Sequence, residues 1–138
     1  MAKLVAAGVT LRAQINDRFP KRDKSSDGWI GDGAHQARKS DHNPDSRGWV
    51  HALDIDKDFG AKGDAQKFAN QLAAYCRLEL DKGRIKYIVF NDRIASATAN
   101  DWKWRGSGYG HLHHIHISFT DKAEKDGSKF VLPIFKKP

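Results

Sequence analysis

The segment His114-Ile-His-Ile-Ser-Phe119 alternates imidazole or hydroxyl side chains with apolar ones. In an extended strand successive side chains point to opposite faces, so His114 and His116 share one face while Ile115 and Ile117 take the other. A chain carrying such a segment must build a sheet with a core beneath one face and a polar surface above it. Four of the seven histidines, His111, His113, His114 and His116, fall within six residues. Neutral imidazole is the commonest protein ligand for zinc and a general acid or base near neutral pH. The cluster is internal and broken by aliphatics, which points to a metal centre.

The rest of the chain supplies elements to pack against that strand. Leu4, Leu11 and Ile15, with polar residues between them, predict an amphipathic helix over residues 4–18, stopped by Pro20. Residues 28–48 are rich in Gly, Asp, Ser and Asn and read as a long loop; loops of that length inside a domain are usually functional. Val50–Asp56 alternates, with Ala52, Asp54 and Asp56 on one face and Leu53 and Ile55 on the other. Asp64 reads as an N-cap for a helix bearing Phe68, Leu72, Cys76 and Leu80, closed by Gly83. Ile85–Phe90 reads as a core strand, and Trp102–Arg105 as a further one. The expectation is a single α+β domain over residues 1–138, a small antiparallel sheet with flanking helices.

Composition narrows the function classes. The chain is 39% hydrophobic and 30% charged, the balance of a hydrophilic globular protein, and no apolar run approaches the roughly 18–20 residues of a membrane span. No membrane insertion is expected. The N-terminus lacks the apolar core and cleavage site of a secretory signal, so synthesis in a bacterial host cytoplasm without a signal peptide is expected. One cysteine, Cys76, excludes a disulfide framework and any zinc site needing two thiolates; within a helix it reads as a small buried hydrophobe. A formal net charge of +7 predicts attraction to polyanions, either nucleic acid or an anionic wall.

A catalytic zinc site takes three protein ligands and leaves a position for water. The two strands offer His116, backed by His114, together with Asp54 or Asp56, and the loop offers His42 in Ser40-Asp-His-Asn-Pro-Asp45. Two histidines and a carboxylate suit a zinc hydrolase, whose metal ionises water and polarises a scissile carbonyl. Such a site needs a base within reach of the water, and His114, two residues before His116 on the same face, is placed for it. Arg38 is either a fork for a substrate carboxylate or a solvated arginine. Ser40 lacks the Gly-x-Ser-x-Gly surroundings of a nucleophile and reads as a ligand-binding hydroxyl. His35 and His51 read as ordinary, since His51 alternates away from Asp54. Trp102 and Trp104 serve either the core or the floor of a sugar or peptide groove.

Ser40-x-His42, Ala52-x-Asp54 and the strand His114-x-His116, in that order, resemble the zinc peptidases that group D-Ala-D-Ala carboxypeptidases, phage endolysin peptidases and the hedgehog signalling domain. The resemblance implies a hedgehog-like fold and zinc held by His42, Asp54 and His116. His111-x-x-His114-x-His116 is also similar to the penicillin-insensitive murein endopeptidases, which implies that His114 and His111 line the active site. Two departures stand out. The family spaces its first two ligands more closely, so Asp45–Val50 reads as an insertion and Asp56 remains an alternative ligand. Where relatives carry an acidic base three residues before the last ligand, this chain has His113, which alternation turns away from His116.

The resemblance implies a zinc-dependent peptidoglycan peptidase cutting an amide in the stem or cross-bridge peptide. Without a signal peptide, that implies an endolysin of phage or prophage type, a monomer acting on the wall after release, with no nucleic acid partner. Two other classes stay open: a metal-dependent nuclease, on the basic charge and the histidines near Asn43, and a zinc-containing binding module without catalysis.

Overall fold

The computed structural model of the chain describes residues 2–29, 40–108 and 112–137. In chain order the elements are β1 (Lys3–Leu4), α1 (Ala6–Arg18), β2 (Trp49–Val50), β3 (Ala52–Asp56), α2 (Asp64–Arg77), β4 (Ile85–Phe90), β5 (Arg93–Ser96), β6 (Arg105–Gly106) and β7 (His114–Phe119). Single 3-10 turns cover Asn100–Trp102, Asp121–Ala123 and Pro133–Phe135. Among the described residues, five strands make one antiparallel sheet in the order β3-β7-β4-β5-β6, while β1 and β2 form a short parallel pair. The α+β class is therefore as the sequence predicts. No helix among the described residues is long and apolar enough to cross a membrane.

The alternation of β7 sets the sheet's two faces. Ile117 stands opposite Leu53 on one side and Ile88 on the other, and Ile115 opposite Ile55, so the aliphatics form one continuous face. All five are buried. The two helices cover this face: Leu11 and Ile15 from α1, and Phe68, Leu72 and Cys76 at four-residue spacing from α2. Cys76 is thus the buried hydrophobe its position suggests, and burial, with the nearby Asp81 carboxylate, pushes its thiol pKa up.

Several predicted boundaries move. Leu4 belongs to β1, so the first helix starts at Ala6. Val50–Asp56 is split at His51, because β2 pairs with β1 and β3 with β7. The cap of α2 is Gly63, in a left-handed conformation (φ +88°) that suits glycine. Asp64 instead occupies the first helical turn, where its negative charge favours the exposed N–H groups. The same helix stops at Arg77 rather than Gly83, and the left-handed Glu79 and Lys82 turn the chain away, leaving Leu80 51% exposed. Trp102–Arg105 is not a strand: a 3-10 turn holds Trp102, and only Arg105–Gly106 pairs, with β5.

The chain after β7 packs without forming a strand. Phe130 and Leu132 are buried, and the Gln14 amide satisfies the Phe130 backbone, donating to its carbonyl at 2.8 Å and accepting from its N–H at 2.9 Å. Arg84, 1% exposed, donates to the carbonyls of Asp81, Asp126 and Ser128, and its guanidinium lies 4.1 Å from the Phe130 ring centre. These side chains stand in for a neighbouring strand.

Candidate metal centre

The sheet's polar face assembles the site through register. Asp54 stands directly opposite His116 across the β3–β7 pair, and Asp56 opposite His114. Side chains so paired project from the same face of an antiparallel sheet at close range. His116 Nδ1 lies 3.0 Å from Asp54 Oδ1, and His114 Nε2 3.5 Å from Asp54 Oδ2. Buried His42 enters from the loop before β2, placing Nε2 3.3 Å from Asp54 Oδ2 and 3.2 Å from His116 Nδ1. Donor atoms of His42, Asp54 and His116 all lie within 4.8 Å of one another.

The outer nitrogens of the two imidazoles already have partners. His42 Nδ1 lies 2.9 Å from the Trp29 carbonyl, so that nitrogen donates there, and in the neutral ring Nε2 offers its lone pair to the centre. His116 Nε2 lies 2.8 Å from Ser118 Oγ; with Nε2–H donating there, Nδ1 faces Asp54 and His42. Tyr87 stacks on the His116 ring at a centroid distance of 5.5 Å and fixes its plane. Two nitrogen donors, both oriented from behind, and a carboxylate fit the donor set of zinc.

The electrostatics follow from this crowding. Burial works against an ionised Asp54, yet hydrogen bonds and charge from His116 and His42 hold its carboxyl well below the usual carboxylate range. Burial also lowers His42, but the Asp54 hydrogen bond and charge, with the Trp29 carbonyl, lift it above an ordinary imidazole. His114 is shifted down, by desolvation first and then by the neighbouring imidazoles, against the pull of Asp54.

Of the predicted residues, the structure brings together His42, Asp54, His116 and His114. Asp56, the alternative ligand, is engaged elsewhere: its Oδ2 accepts from Ser25 Oγ, Ser26 N and Ser26 Oγ, and its Oδ1 from Asp58 N. Burial opposes ionisation of Asp56, but those donors hold its pKa down. Ser40 Oγ accepts the His42 N–H at 3.2 Å, so this hydroxyl shapes the turn that presents His42. The His113 side chain is exposed, while its carbonyl takes Ser26 Oγ and Lys57 N. His111 and Arg38, predicted to line the site, and His35 lie outside the described residues.

A second constellation escaped the sequence reading. His51 Nε2 lies 2.7 Å from Glu124 Oε2, and Arg47 Nη2 contacts both Glu124 oxygens at 2.8 and 2.9 Å. Asp45 Oδ1 accepts from Arg47 N and Trp49 N and orders the turn between them. Asp45, His51 and Glu124 have donors close enough for a metal, but the Arg47 guanidinium already bridges Glu124 and Asp45. The cluster instead ties the turn after His42 to the Asp121–Ala123 turn. Glu124 lies over seventy residues from its partners, and no local spacing could have announced the pairing.

Comparison with known proteins yields no matching protein family, no matching characterised relative and no matching solved structure.

Proposed function

We propose that the chain is a zinc-dependent peptidoglycan peptidase of the D-Ala-D-Ala carboxypeptidase, endolysin and hedgehog-like group. On this reading it hydrolyses an amide in the stem or cross-bridge peptide of the bacterial wall. One observation carries the proposal: His42, Asp54 and His116 converge with their outer nitrogens engaged, and His114 stands beside them on the same strand face. A stably folded binding module has no need of a third imidazole there. The absence of an insertion-free match to the family's usual ligand spacing is explained by the Asp45–Trp49 turn, which takes up the extra residues and returns the chain to β2.

Zinc, when bound by His42, Asp54 and His116, supplies a Lewis acid for the scissile carbonyl and favours ionisation of water. His114 accepts the proton given up as water oxygen bonds to the carbonyl carbon, and returns it to the amine nitrogen as the C–N bond breaks. The Asp54 carboxylate 3.5 Å from His114 Nε2 stabilises the imidazolium formed between those transfers. Arg38 and Ser40 are assigned to substrate binding and His111 to a contact beside the reacting carbonyl.

The test is metal analysis of the purified protein combined with mass spectrometry of digested wall. Stoichiometric zinc and a new peptide terminus are the expected results. His114→Ala should keep its zinc and lose roughly 10²–10⁴-fold in turnover, the usual contribution of a positioned acid or base. Plasmid nicking with an inert wall digest would overturn the peptidase reading in favour of a nuclease. Bound zinc with no turnover on either substrate would leave a binding module.

A further inference from the structure

On the helix-covered side of the sheet, away from His116, an open groove of about 540 Å³ runs between α2 and the β5–β6 edge. Its side chains include Trp102 and Trp104, with Arg77, Arg93 and Lys103 around them and Asn70 on the α2 wall. Arg93 stands opposite Phe90 in the β4–β5 register, hence on the face that α2 covers and not on that of Asp54. Both indoles are half-buried. Each indole therefore serves the core with one side and the groove wall with the other.

Two properties mark the groove as a binding surface. The first is unbalanced charge. No carboxylate lines it among the described residues, and Arg93 and Lys103, both exposed, form no ion pair among them. Arg77 alone is neutralised, by Asp101 at 3.0 Å. The second is strain. Asn100, Asp101 and Trp102 are all left-handed, with φ of 58°, 52° and 64°. For L residues that region costs roughly 1–2 kcal/mol each, and a bulky aromatic there is a genuine outlier. The Arg77–Asp101 bond and the Lys103 N–H to the Asn100 carbonyl hold the turn, which sets the Trp102 indole at the rim.

We propose that this groove docks an acidic polysaccharide, with the apolar faces of its pyranose rings on Trp102 and Trp104 and its carboxylates on Arg93 and Lys103. Indole offers a large, rigid apolar surface, and guanidinium a planar fork for carboxylates. That the strand is a wall polymer rests on the peptidase reading; binding itself does not. Its place on the opposite side of the sheet lets the chain hold the wall while the metal face works.

Tryptophan fluorescence titrations of the protein as purified test this, with oligogalacturonate as the probe. Neutral malto-oligosaccharide, inorganic polyphosphate and single-stranded oligo-dT of similar length serve as comparisons. Oligogalacturonate should bind at least about tenfold tighter than the neutral or the phosphate chain, a difference well resolved by such titrations. Arg93→Glu with Lys103→Glu, both exposed and outside the core, should weaken that binding at least about tenfold with melting temperature and zinc content unchanged. Equal binding of polyphosphate, tighter binding of oligo-dT, no binding of oligogalacturonate, or an unaltered affinity in the double variant would each overturn the assignment. An inert wall digest alongside intact oligogalacturonate binding defeats the peptidase reading alone.

Discussion

The two aspartates of β3 lie two residues apart and so share a strand face, yet their surroundings give them opposite work. Asp54 looks at two imidazoles that need a negative partner; Asp56 looks at backbone and hydroxyl donors that close the Ser25–Asp27 segment. The sequence offered both as ligands because alternation reports a face and says nothing of what covers it. What separates them is the pair of serines some thirty residues upstream, whose meeting with β3 is a tertiary event. On the proposed zinc reading, Asp54→Asn should therefore lose the metal, whereas Asp56→Asn should keep it and expose the residue 25–27 segment. Metal content by emission spectroscopy, with limited proteolysis alongside, distinguishes the two. Zinc lost from Asp56→Asn but retained by Asp54→Asn would reverse the assignment.

At the scale of elements, strands and helices with strong periodicity were legible: α2, β4 and β7 lie where Phe68–Cys76, Ile85–Phe90 and His114–Phe119 place them. Boundaries set by tertiary pairing were not. Nothing local says that Val50 pairs with β1 while Ala52 pairs with β7, or that the chain after Leu80 turns through left-handed residues. The site was legible for the matching reason, since three of its histidines and its aspartate sit on predicted strands or in a motif. The Gln14 and Arg84 clamps on the tail were illegible, because polar side chains bracketing a distant backbone leave no period. Ile117 lies where three strands meet and is fully buried. Ile117→Ala should cost about 2–5 kcal/mol of unfolding free energy, measured by chemical denaturation. A loss below the low end would mean that neighbouring helices collapse onto the gap.

Over the whole molecule, stability should fall in acid in a way that one turn helps to set. Desolvation works against ionised Asp45, but the N–H groups of Trp49 and Arg47, with the Arg47 charge, together hold its pKa below the ordinary 3.8. A carboxyl whose pKa is lower folded than unfolded adds stability above its unfolded pKa and loses it as pH falls through the folded one. Asp45→Asn should thus be less stable than the parent at pH near 7, and the gap should close as the medium falls below roughly pH 4. Denaturation at both pH values checks this, and a gap that persists in acid would mean the amide disrupts the turn sterically.

The order of synthesis gives the placement of β7 a further meaning. β3 leaves the ribosome early, but its partner in the sheet is the segment ending at Phe119; β4 has β5 on one side soon after it is made, and its other edge waits for that same segment. Until then Asp54 and His42 have no third donor, β3 has no neighbour in the five-stranded sheet, and one edge of β4 stays open. A nascent or prematurely terminated chain therefore lacks the three-donor cluster of His42, Asp54 and His116. On the hydrolase reading, no fragment of this chain that ends before the histidine strand is active.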